Sequence, residues 1–326
     1  RTLVITTMGG NDISAIAKDA IEGVAEDEDR IIGFAYAGPR RTRRVGYLGE
    51  IYALYVLEEY QRQGIGLTIM VTKANAAREN IEKEVPGADL EVLEIDLSKL
   101  QSVRSFAKVY QSKYDRLDVL INNAGVMMPP YSKTEDGFEL QFAANYLGHF
   151  LLTGLLLETL LNTANSRVVS LSSIAHKSGK IHFDDLQSEE KYNASEAYSQ
   201  SKLACLMFAY ELQRRLDKGG HNQTMSVAAH PGVATTELAR HMNKVLYTVL
   251  RFTVAPFITH APKEGAKPTL VAAIGEAEGG DYFGPTGFQE MKGSPGKAKS
   301  TPLAKDEAVA KRLWEVSEEL VGFEYL

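Results

Sequence analysis

An α/β protein, with a parallel sheet covered by helices on both faces, is what the sequence predicts, and three observations carry that expectation. From about Leu90 onward, short apolar runs alternate with stretches of helical period. The apolar runs are continuous rather than alternating, as in strands buried on both faces. Each run also ends in small or polar residues: Asp96, Asn122-Asn123-Ala124-Gly125, Ser172-Ser173 and Pro231-Gly232. In parallel sheets that carboxyl edge is where ligands gather.

Taken in order, RTLVIT (1–6) reads as a strand. An acidic run at 26–29 and a basic run at 40–44 follow. Residues 31–57 read as two or three strands of an antiparallel hairpin, with the basic run at a Gly-Pro turn, either a phosphate patch or a solvated tip. Residues 67–80 fit either a strand or a helix striped by Leu67, Met70, Val71 and Ala74. LEVLEID (90–96) reads as a strand, and 98–114 as a helix with Leu100, Val103, Phe106, Ala107 and Tyr110 on one face. A strand at 117–125, a helix at 138–160, a strand at 166–173, a helix at 196–216 and a strand at 224–232 continue the alternation, and 303–320 closes the chain as an amphipathic helix.

Composition sets bounds on function. The 326 residues are 44% hydrophobic and 24% charged, ordinary for a globular chain with a large core. A net charge of −6 offers no basic excess for nucleic acid or an anionic membrane face. The single Cys205 excludes an internal disulfide framework and a cysteine zinc site, and fits a reducing, cytoplasmic setting. Residue 1 is Arg, as in a fragment or processed chain, and no secretory signal is apparent. The apolar stretch 147–161 is interrupted by His149, Thr153, Gly154 and Glu158, so no transmembrane segment is expected.

The chemistry concentrates at Tyr198 and Lys202, spaced i, i+4 so that both side chains share a helix face. A phenol near pKa 10 is a poor acid–base group at neutral pH, and a neighbouring ammonium favours its phenolate. Such a pair suits proton exchange with a carbonyl or alcohol oxygen. Alone, the spacing is common by chance. With NNAG at 122–125, Asn145 in NYLGHF, Ser172-Ser173, and HPG at 230–232 in order, the sequence resembles the short-chain dehydrogenase/reductase family, in its retinol-dehydrogenase-like branch, over about residues 86–326.

The resemblance implies a Rossmann-type doubly wound parallel sheet and an oxidoreductase interconverting a carbonyl and an alcohol by hydride transfer. Tyr198 would be the acid or base, Lys202 would lower its pKa and hold the nicotinamide ribose, and Ser173 would hold the substrate oxygen. Asn145 would hold a water completing a proton relay; the other reading is a helix-interior Asn bonded to backbone. For the cofactor, NADP or NAD with NADP favoured, Asp96 would accept from the adenine amino group, and Asn122, Ala124 and Gly125 would line the ribose. Pro231, Gly232 and Thr236 would flank the carboxamide. No metal set is implied, and His176 and His230 read as structural. The family's variable lid would fall at 238–262, where an apolar face suits a small lipophilic substrate, a membrane surface, the core or a homodimer.

The family's T-G-x-x-x-G-x-G loop does not follow residues 1–6, where Thr7-Met8-Gly9-Gly10-Asn11 stands instead. Gly64 and Gly66 are the remaining candidates for the pyrophosphate. Residues 49–66, with 31–39 before them, also resemble the strand and Q-x-x-G-x-G loop of GNAT-type N-acetyltransferases over about 30–80. The later half of that fold has no counterpart, so acetyl-CoA is not the expected cofactor. The expected organisation is an atypical segment at 1–85, replacing the first βα unit, ahead of a catalytic core at 86–326. The alternative function is a silent dehydrogenase-like binding protein lacking the glycine loop.

Overall fold

The computed structural model describes residues 3–6, 23–27, 30–35, 50–52, 83, 91–233 and 262–326. Its strands are β1 (Leu3–Thr6), β2 (Gly23–Asp27), β3 (Arg30–Ala35), β4 (Glu50–Tyr52), β5 (Val119–Asn122), β6 (Ser166–Leu171), β7 (Thr224–Ala229), β8 (Tyr282–Pro285) and β9 (Pro295–Lys297). Its longer helices are α1 (Leu100–Lys113), α2 (Leu140–Leu161), α3 (Ala194–Lys218), α4 (Pro262–Ile274) and α5 (Glu307–Val321).

One seven-stranded sheet runs in the order β4-β1-β5-β6-β7-β8-β9. It is parallel from β4 through β8, and β9 closes the edge antiparallel. Helix α3 packs on β6 and β7, and α4 packs on β6, β7 and β8. Alternation along the strands explains how both faces are filled: Leu120, Val168 and Ala228 join the main core, while Val169 and Val227 are buried on the other side. The fold is the Rossmann-like α/β architecture that the patterning predicts.

Capping residues set where the helices begin. Glu139 opens α2 by accepting from the Gln141 and Phe142 amides, Asn193 opens α3 from Ser195 and Glu196, and Asp306 opens α5 from Val309. Helix α2 contains a π-helical turn at Ala143–Leu147, the turn that carries Asn145. By length and hydropathy α2 could cross a membrane, yet 89% of its apolar window is buried inside the fold. What makes it a core helix is therefore its packing, not the polar interruptions noted in its sequence.

The amino-terminal region departs from expectation. The antiparallel pair is β2 with β3, while β4 leaves it and pairs in parallel with β1. Parallel pairing needs a long connection, which the chain between β1 and β4 supplies. Strand β1 lies beside β5, with Thr6 opposite Asn122, so residues 50–52 do not occupy the place next to the NNAG strand. Residues 91–96, expected as a strand, show no strand pairing. There the Asp96 amide donates to Ser102 Oγ at 2.9 Å and its carboxylate accepts from Ser98, turning the chain into α1. Helix α4 and strands β8 and β9 were not anticipated, because Pro268 interrupts the first and Gly and Pro make up half or more of the other two.

Candidate active site

The carboxyl edge of β5 starts the site. Buried Asn122 donates through Nδ2 to Thr153 Oγ1 (2.9 Å), which donates to the His149 carbonyl (2.8 Å). Among the described residues, Asn122 Oδ1 is buried without a hydrogen-bond partner. Ala124 is buried and Gly125 follows it; a Cβ at Gly125 would stand 3.1 Å from both Asn145 Oδ1 and Lys202 Nζ. Glycine therefore lets the backbone approach two of the polar candidates closely.

Asn145 is fully buried and clamps the chain after Gly125. Its Oδ1 accepts from the Val126 amide (2.7 Å), and Nδ2 donates to the Val126 carbonyl and to Ser201 Oγ (both 2.9 Å). The side chain thus takes the backbone-bonded arrangement. Its carbonyl lies 2.9 Å from His149 Nδ1 and accepts from Cys205 Sγ (3.0 Å).

The two serines after β6 diverge, as alternation along a strand requires. Ser172 Oγ donates to the Lys202 carbonyl (2.8 Å) and is buried. Half-buried Ser173 caps the 3₁₀ turn Ile174–Ser178 by accepting from the Ala175 amide. On α3, Tyr198 and Lys202 are both buried near the helix start, with Lys202 Nζ 6.0 Å from the Tyr198 ring centre. Lys202 Nζ also donates to the Leu171 carbonyl at 3.2 Å, the last residue of β6. The strand end that leads to Ser173 and the face of α3 are thereby tied together at one ammonium.

A second set of turns adjoins this one. Gly232 has φ +74°, and a Cβ there would lie 2.4 Å from the Met291 carbonyl, so glycine is needed for both conformation and space. Buried His176 and His230 both pack against Tyr282, with ring centres 5.6 and 5.2 Å away. His176 Nδ1 contacts the Ser173 carbonyl at 2.6 Å. Burial lowers the pKa of His176 and raises that of the Tyr282 phenol. Burial takes His149 down to about 3, its backbone bond opposing and the Lys202 charge adding, so its imidazole is neutral.

Of the expected residues, Asn145, Gly125 and Lys202 come together directly, with Tyr198 on the same helix as Lys202. Asp96 engages Ser98 at the entry to α1, and Pro231 and Gly232 lie on the turn after β7. Gly64, Gly66 and Thr236 lie outside the described residues, as do 238–261 of the expected lid. Sequence reading missed His149, Ser201, Tyr282 and Glu290. His149, one turn of helix beyond Asn145, carried a readable spacing signal, whereas Glu290 arrives through a loop whose path depends on β8 and β9. Among the described residues no group of three or more His, Cys, Asp or Glu could hold a metal ion.

These residues fit a dinucleotide: among the described residues Asn122 Oδ1 lacks a partner, and Gly125 bares backbone beside Asn145 and Lys202 where a Cβ would crowd both. A Rossmann-like sheet with tyrosine and lysine one turn apart on the helix after β6 is the arrangement expected of the oxidoreductase class that the sequence resembles. A short chain dehydrogenase family model matches residues 49–246, and the chain belongs to that family, oxidoreductases that act on CH–OH groups. It is 47% identical over 238 residues to retinol dehydrogenase 14 of Homo sapiens, covering 72% of this chain and 67% of that protein. It is 44% identical to retinol dehydrogenase 13 of Homo sapiens, over 77% of this chain and 75% of that one. A crystal structure of an uncharacterized protein from Mycobacterium paratuberculosis is 33% identical with a TM-score of 0.67, covering 100% of this chain and 95% of that chain.

The family match corrects the acetyltransferase resemblance. It begins at residue 49 and so takes in Gly64-Ile65-Gly66 as dehydrogenase sequence. In the fold, β3 pairs with β2 and β4 pairs with β1, so the strands at 30–35 and 50–52 do not form the antiparallel hairpin expected over 31–57. Neither an acetyltransferase-like fragment nor a mosaic amino terminus is supported.

Proposed function

We propose that the chain is an NADP(H)-dependent oxidoreductase of small lipophilic alcohols and aldehydes, retinoid-like in size and apolarity. The observation that carries the reading is the convergence of Lys202 Nζ, Asn145 and Gly125 just beyond the carboxyl end of β5, with Lys202 Nζ 6.0 Å from the Tyr198 ring centre. The substrate class is taken from the names of the relatives. We favour NADP over NAD on Lys73, which the strand reading of 67–80 puts where a 2′-phosphate would lie. We assign the catalytic core to 86–326 and the working compartment to the cytoplasm, the latter on one buried free cysteine.

When bound, the nicotinamide supplies or accepts the hydride. Tyr198 then exchanges the proton of the substrate oxygen, as base in oxidation and acid in reduction. The Lys202 ammonium is anchored on the Leu171 carbonyl, 6.0 Å from the Tyr198 ring centre, where it can meet the nicotinamide ribose. Ser173 donates to the substrate oxygen and steadies the charge developing there. Asn145 holds the backbone at Val126 and so fixes the chain that follows Gly125 beside Lys202. Asn122, Ala124 and Gly125 would line the adenosine ribose, with Asp96 toward the adenine and the Pro231-Gly232 turn toward the carboxamide.

Tyr198→Phe removes only a hydroxyl, so the fold should persist while turnover falls by at least about a hundredfold. The check is the change in NADPH absorbance with retinaldehyde as probe, beside a thermal unfolding curve. Wild-type turnover in this variant would overturn the reading.

A further inference from the structure

The hairpin joining β8 to β9 has no part in the reaction described so far, yet its tip bears on two of the site's turns. Thr286 and Gly287 donate across it to the Ser294 and Lys292 carbonyls, leaving a short 3₁₀ turn, Phe288–Glu290, at the apex. Two consecutive non-glycine residues there, Gln289 and Glu290, have φ of +48° and +60°. Left-handed conformations cost such residues energy, and they persist where surrounding contacts hold them. The contacts are specific. Glu290 Oε2 accepts from Lys177 Nζ at 2.6 Å, and Oε1 accepts from the Lys299 amide at 2.7 Å. The same carboxylate stands 4.0 Å from His230 Nε2. The next carbonyl, Met291, accepts from the Val233 amide at 2.7 Å and faces Gly232, which has no side chain to block it.

Lys177 belongs to the turn that Ser173 caps, and Val233 belongs to the turn of Pro231 and Gly232. One apex therefore grips both the oxygen-holding turn and the carboxamide-holding turn. We propose that Glu290 is a positioning residue for the oxidoreductase reaction, fixing the separation of the Ser173 turn from the 231–233 turn. This rests on the function proposed above. Lys177 is over a third exposed, so its pairing with Glu290 contributes little to global stability. Its consequence is geometric, and small displacements at a reacting centre reduce rate far more than they reduce stability.

Glu290→Gln keeps the shape and the Lys299 contact while removing the charge that holds Lys177; Lys177→Met removes the other partner. The expected result for each is a kcat about tenfold lower, with the KM for retinaldehyde and the melting temperature close to wild type. The double variant should be no worse than either single, because both break one link. Hydrogen exchange gives a readout independent of turnover. Amides of 174–178 and of 232–233 should exchange faster in Glu290→Gln, while those of α5 do not change. Unchanged kcat, additive losses, or faster exchange confined to the hairpin apex would each overturn the proposal. Should Tyr198→Phe retain full turnover, the functional reading falls, and the exchange measurement still decides the clasp.

Discussion

His149 shows how one side chain can serve the site without meeting a substrate. Its Nδ1 lies 2.9 Å from the Asn145 carbonyl, and its own carbonyl accepts from Thr153, which is bonded to Asn122. A chain of hydrogen bonds thus runs from the end of β5 into the π-helical turn. Because burial lowers its pKa from 6.5 to about 3, the unfolded chain binds a proton below pH 6.5 that the folded chain refuses until about 3. Its contribution to stability is complete above pH 6.5 and diminishes as pH falls through that window, by up to about 1.4 kcal/mol per pH unit. His149→Gln should flatten the decline by up to one proton's worth, measured by urea unfolding between pH 7 and 4. An unchanged slope would mean that the folded protein accepts the proton. At this scale the site was partly legible. Tyr198, Lys202 and the two serines stood out through the ordered motifs of the family resemblance rather than by spacing alone, and the structure separates Ser172 from Ser173 by what each bonds. Glu290 was not legible, since nothing near residue 290 in sequence says that it meets Lys177.

At the scale of elements, legibility followed burial. Helices α1, α2, α3 and α5 were visible because their apolar residues recur at the helical period or run almost unbroken. Strands β8 and β9 were hidden because Gly and Pro carry no hydrophobic pattern; Pro285 opposite Pro295 suits the edge of a sheet, where a missing N–H does no harm. The π-helical turn was invisible too, for it changes the hydrogen bonding of α2 without changing its composition. Helix α5 matters because it completes the core over α3. Trp314 is buried against Phe150, Phe208 and Tyr325, with the Arg215 guanidinium 4.3 Å over its ring. Trp314→Ala should cost about 3–5 kcal/mol through lost contacts and the cavity left behind, read as a lower urea midpoint with unchanged slope. A loss under about 1 kcal/mol would show that the closing helix is only loosely joined to the core.

The whole molecule places its chemistry by strand order. The chain runs from β1 outward to β4, then returns across β1 to lay down β5, β6 and β7 on the other side. The crevice that such a reversal opens lies between the carboxyl ends of β1 and β5, at Thr6 and Asn122. Asn122, whose Oδ1 lacks a partner among the described residues, ends β5 and Gly125 follows it, so the residues expected to hold the ribose stand at that edge. A ligand that binds only the folded state stabilises it by mass action, about 2.7 kcal/mol at a hundred times its Kd. For a chain of this size that is a rise in melting temperature on the order of 5 °C. NADPH should produce such a rise and NADH a smaller one at equal concentration. Gly125→Leu should abolish both, because its side chain would collide with Lys202 Nζ and Asn145 Oδ1, whereas Tyr198→Phe should keep the shift while losing turnover. If neither dinucleotide moves the wild-type melting temperature, the crevice is a fold without its cofactor, and the silent binding protein becomes the better account of this chain.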